Sequence, residues 1–131
     1  MPNNVIRILY IKPKYIRELV FSGLDDNLKK LNPDLCNSLK SHDLQKTHQL
    51  LAVRSPAPYL HPEALKGYDN PIQGILAQVY EEFQGENWSP NGEAKELISA
   101  LGLDHTSMSV GDIINYNDDF YMVQLVGFKK L

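Results

Sequence analysis

The chain has 131 residues, 43% apolar and 22% charged, with a formal net charge of -3; this fits one globular domain with a real core and argues against intrinsic disorder and a generally basic nucleic-acid binder. No apolar run approaches the roughly 18 residues that span a bilayer, and nothing after Met1 reads as a signal peptide, so a cytoplasmic protein without a membrane partner is expected. The single cysteine, Cys36, excludes an internal disulfide framework and a cysteine-based zinc site.

Val5–Ile11 is apolar and β-branched, with Arg7 as its one charge, and reads as a strand that Lys12-Pro13-Lys14 ends. Tyr15–Leu31 is open to two readings: Glu18–Phe21 could extend a strand, while Leu24, Leu28 and Leu31 favour a helix over Asp25–Leu31, stopped by Asn32-Pro33. A short helix starts at Pro33 with Leu35 and Leu39 on one face, and Thr47–Arg54 is the next strand. Ser55–Pro62, with three prolines, is an irregular crossing segment.

Asn70-Pro71 supplies an N-cap residue and a first-turn proline. Ile72, Ile75, Leu76, Val79, Tyr80 and Phe83 then recur at helical spacing, and Gly85 lies just past them. Ser89-Pro90 repeats the start signal, Ala94, Leu97, Ile98 and Leu101 form a second stripe, and Gly102 caps it. Val110–Tyr116 and Phe120–Phe128 read as strands joined by Asn117-Asp118-Asp119. The sum is a single α+β domain over residues 1–131: a small, mainly antiparallel sheet packed against helices, with a C-terminal β-hairpin.

Charge is unevenly spread. Residues 1–66 hold ten Lys/Arg against six Asp/Glu, whereas 67–131 hold three against ten. The acidic half is either a solvated face or a surface that meets a basic partner.

Few residues advertise chemistry. His42, His48, His61 and His105 lack the i, i+4 spacing of a helical metal pair and read as scattered surface or capping residues, so no metal and no cofactor are expected. Cys36 has no sequence-local base and reads as a half-buried small residue. No phosphate-cradling glycine loop occurs. Asp25-Asp26, Glu81-Glu82 and Asp118-Asp119 are adjacent pairs whose side chains diverge, which makes poor catalytic dyads.

The densest polar run is Asp104-His105-Thr106-Ser107-Met108-Ser109-Val110-Gly111-Asp112. It reads as a tight linker whose hydroxyls satisfy the backbone, or as a pocket rim where His105, Thr106, Ser107, Ser109 and Asp112 contact a ligand. A catalytic pair of His105 with Ser107 or Ser109 is a third, minor reading. Trp88 precedes a helix start and either staples that helix or, with Glu81, Glu82 and Glu86, anchors an interface.

Ser107-Met108-Ser109-Val110-Gly111-Asp112, two following strands and a terminal Gly127-Phe128 resemble the YodL-type family, small uncharacterised proteins of phages, plasmids and bacterial chromosomes. The resemblance covers the last third to half of the chain and implies a mobile-element accessory rather than any particular chemistry. The leading expectation is therefore a non-enzymatic protein that binds and inhibits a host macromolecular partner. The alternative is a small-ligand or nucleotide-binding protein with a pocket at 104–112. Nucleic acid is disfavoured as a partner, and a homo-oligomer fits the chain's size.

Overall fold

The computed structural model describes residues 5–16, 33–124 and 126–131. The expected Asp25–Leu31 helix and the alternative strand at Glu18–Phe21 lie outside the described residues.

The β-branched run makes strand β1 (Ile6–Ile11), which is covered on both faces: Ile6, Ile8 and Tyr10 join one core cluster, Leu9 and Ile11 another. β1 pairs with β2 (His48–Arg54) on one side and β3 (Ile113–Tyr116) on the other; β4 (Asp119–Val123) and β5 (Phe128–Lys130) complete the order β2-β1-β3-β4-β5. Every pairing is antiparallel. Ile8 faces Ala52 and Leu9 faces Leu50, so Leu51 is the extra residue of a bulge that keeps it in the Ile8–Tyr10 cluster.

Helices cover both faces. α1 (Pro33–Ser41) brings Leu35 and Leu39 to Ile11, Ile113 and Met122. α2 (Pro71–Glu82) brings Ile75, Leu76 and Val79, followed by Phe83, to the face formed by Ile6, Ile8 and Ile114. Asn70 caps α2 as its sequence implies, its Oδ1 accepting from Gln73 N at 2.9 Å, with Pro71 at the first helical position.

The sheet and helices match the expected α+β class, with four local departures. The second predicted stripe gives only α3 (Lys95–Ala100). Residues 89–94 turn instead, because Gly92 packs its backbone on the Glu86 and Asn87 carbonyls, where a Cβ would lie 2.5 Å from either oxygen. Val110–Tyr116 starts late, at Ile113, because Gly111 takes a φ of +97°. Phe120–Phe128 is not one strand: Gln124 N donates to Gly127 O at 3.0 Å, Gly127 takes a φ of +73°, and the chain folds back into β5. Ser55–Pro62 contains a 3₁₀ turn, Ala57–Leu60, that buries Tyr59. The β3–β4 hairpin stands where expected, with Asn117 and Asp118 both at positive φ (52° and 65°), the pattern of a type I′ turn.

Candidate functional site

Gly111 turns the chain so that the Asp112 carboxylate lies wholly buried beneath the 103–109 loop. Its Oδ1 accepts from Ile11 N at the end of β1, at 2.9 Å, and its Oδ2 accepts from Ser109 N at 2.8 Å. His105 Nε2 lies 2.8 and 2.7 Å from the two oxygens. Both oxygens also face Nε2, which donates to the carboxylate wherever Asp112 is ionised. Burial pushes the Asp112 carboxyl above the usual carboxylate range, while His105 and the two backbone N–H groups pull it back.

The His105 ring stacks on Tyr10, with centroids 4.5 Å apart and planes 12° apart. The Tyr10 hydroxyl donates to Thr106 O at 2.8 Å, so β1 grips the loop through one aromatic side chain. Burial lifts that phenol well above its ordinary value, and Asp112 adds to the lift. His105 Nδ1 is buried and has no hydrogen-bond partner among the described residues.

A second imidazole holds the same turn from behind. His48 Nε2 lies 2.8 Å from Gly111 O and therefore donates to it. Its Nδ1 meets Thr47 Oγ1 at 2.9 Å; Thr47 meets Ser38 Oγ at 2.7 Å, and Ser38 donates to Asp43 O at 2.6 Å. Burial is the main cause that lowers His48 to about 4; Lys12 and His105 lower it further and the Gly111 carbonyl opposes. The reading of all four histidines as scattered surface or capping residues is thus corrected for two of them. His42 is exposed and His61 Nδ1 accepts from Glu63 N, but His48 and His105 are packed on either side of Gly111-Asp112.

In front of His105, α3 and the 103–109 loop flank an open cleft of about 440 Å³. Ile98 and Leu103 give it an apolar floor. Lys95, Ser99 and Asp104 line it, with His105, Thr106, Ser107 and Ser109. The structure therefore brings four of the five sequence-predicted ligand residues to one wall, with Asp112 behind His105 as their support. Lys95 and Ser99 carried no signal in the sequence, because an exposed lysine and serine on a helix are ordinary.

The Ser–His reading fails on geometry. Ser107 Oγ donates to Trp88 O at 2.8 Å and Ser109 Oγ donates to Ser107 O at 3.0 Å, so neither hydroxyl meets the imidazole. Among the described residues, no serine hydroxyl bonds to the imidazole, whose Nε2 is engaged by Asp112.

The four sequence-predicted interface residues are not equivalent. Trp88 is a core side chain, 9% exposed, with its ring centroid 4.5 Å from that of Phe83. Glu82 accepts hydrogen bonds from Arg54 Nε at 3.0 Å and from the Tyr59 hydroxyl; burial first, and then this bond and the carboxylate's charge, raise the Tyr59 phenol. Glu81 and Glu86 stand exposed. Among the described residues no three His, Cys, Asp or Glu side chains cluster as metal ligands, and no helix is long and apolar enough to cross a membrane.

No family model, curated protein or solved structure matches the chain.

Proposed function

We propose that the protein binds a small polar ligand in the cavity between α3 and the 103–109 loop. One observation carries this reading: a hydroxyl- and imidazole-bearing loop is locked from beneath by a wholly buried carboxylate, and it faces an open cleft of about 440 Å³. That volume lies within the range of small-molecule sites. A loop already fixed by Asp112, Tyr10 and His48 loses little further freedom when it binds, which favours affinity.

Inhibition of a host macromolecule, the expectation that the Ser107–Asp112 resemblance suggests, has less behind it. Of the residues offered for it, Trp88 is spent on the core and Glu82 on Arg54 and Tyr59.

The test is thermal unfolding against a panel of nucleotides, amino acids and sugar phosphates, with a Ser99→Trp variant that fills the cavity from an exposed position. A ligand at a hundred times its Kd raises stability by about 2.7 kcal/mol. The reading predicts a saturable rise that Ser99→Trp removes. A flat response across the panel, or a rise that Ser99→Trp leaves intact, would overturn it.

A further inference from the structure

A second concavity lies on the other side of the 85–94 turn. It is an open groove of about 510 Å³ with an apolar floor of Ala94, the edge of Trp88, and Leu97. Leu97 is 43% exposed, although its spacing in the sequence placed it on a buried stripe. The rim carries Glu82, Glu86 and Glu93, with Arg54 as the single lining cation among the described residues. Arg54 is engaged by Glu82 at 3.0 Å, so it offers no countercharge to the other two. Neither Glu86 nor Glu93 forms an ion pair among the described residues, and both are exposed.

The spacing of these groups is fixed by the backbone. Trp88 N donates to Gly85 O, Ala94 N to Asn87 O and Lys95 N to Gly92 O, at 3.0, 2.9 and 3.2 Å. The turn that carries Glu86 and Glu93 is thus held to the start of α3, which carries Leu97.

We propose that this groove docks a basic peptide segment of another protein, with one aliphatic side chain on Leu97 and Ala94 and a Lys or Arg on either side reaching Glu86 and Glu93. Charge complementarity selects the occupant. An apolar floor alone would take any aliphatic group, but two uncompensated carboxylates at its edge repel acidic segments and favour cationic ones. The wider surface acts in the same sense, because residues 67–128 contain Lys95 as their only Lys or Arg against ten acids, of which only Asp112 is buried. An extended basic segment therefore meets an attractive field before it reaches the groove. This surface is independent of the ligand cavity, with which it shares no lining residue.

The experiment uses the whole chain and two synthetic peptides, one with a leucine flanked by arginine and lysine and one with glutamates in place of those cations. Binding is followed by amide chemical shifts and by Trp88 fluorescence, since Trp88 is the only tryptophan. The basic peptide should saturate shifts at 85–97, and the acidic peptide should not bind. Glu86→Gln with Glu93→Gln should weaken binding about tenfold or more and reduce its dependence on salt. Leu97→Ser, an exposed change that leaves the fold intact, should weaken binding without altering the salt dependence. Binding that neither variant weakens, or absence of saturable binding, would overturn the proposal. So would a solution mass showing that a second copy of this chain fills the groove in a dimer broken by the Glu86/Glu93 variant. Ser99→Trp separates the two sites, because it blocks the cavity and leaves peptide binding in place.

Discussion

The partners of the Asp112 carboxyl come from two separate places: β1 through Ile11 N, and the 103–109 loop through Ser109 N and the imidazole of His105. Removing the imidazole leaves a buried carboxyl oxygen without one of its hydrogen-bond partners, so His105→Ala should cost about 1–3 kcal/mol. Asp112→Ala also strands two backbone donors and should cost a comparable amount, while the double variant should lose less than the sum of the two. A double-mutant cycle by urea unfolding measures that coupling; simple additivity would mean that the pair contributes nothing. His48 gives a pH dependence of definite sign. Its folded value, about 4, lies below the ordinary 6.5, so the unfolded chain binds the proton first. The stability it supplies is complete above about pH 6.5 and drains away as pH falls toward 4, by roughly 3 kcal/mol in full. Asp112 works in the opposite sense, because burial makes the folded state the better proton binder. The slope that disappears in His48→Gln, measured by unfolding at pH 7.5 through 4.5, isolates the histidine. An unchanged slope would show that His48 is not held neutral.

At the scale of elements, two turns are set by the backbone and make opposite predictions. Gly92 lets the 86–92 backbone close on itself, and a Cβ there would meet two carbonyl oxygens at 2.5 Å. Gly92→Ala should therefore cost on the order of 1–3 kcal/mol and displace the start of α3, as overpacking does. Amide shifts at 86–97 would report the displacement; a variant with parental stability and spectrum would contradict the tight packing. The β3–β4 turn makes the opposite prediction. Asp118 sits at a φ of 65°, where glycine is unstrained, so Asp118→Gly should be neutral or stabilise by up to about 1 kcal/mol. A clear loss in the urea midpoint would argue against a type I′ turn.

For the molecule as a whole, the elements were legible wherever side-chain periodicity and caps agreed. Ile6–Ile11, Pro71–Glu82 and the Asn117-Asp118 turn follow from β-branching, an Asn-Pro start and positive-φ chemistry. The sequence misled where backbone packing overrode side-chain pattern. Gly92 held the chain in a turn after a sound Ser-Pro start, and Val126, 91% exposed, sat within an apolar run that hid the β4–β5 turn. The 104–112 segment stands out in the sequence; its structural reading is seen in hydroxyls that bond to carbonyls, while its reading as a pocket rim rests on the concavity those residues line. What could not be read was the partner of each histidine. Asp112 is seven residues from His105, but Gly111 is sixty-three from His48, and only the β2-β1-β3 order brings β2 alongside that turn.

The claim on which the most depends is that the 103–109 loop is a preformed wall of a ligand site. An amide-shift titration of the whole chain, using the molecule that gives the largest thermal stabilisation, tests it most directly. The amides of 95–109 should move saturably, those of Ile11 and Gly111 should stay nearly still because the loop's support is already in place, and Ser99→Trp should abolish the response. Saturable shifts centred elsewhere, or large movements at Ile11 and Gly111, would contradict a preformed site.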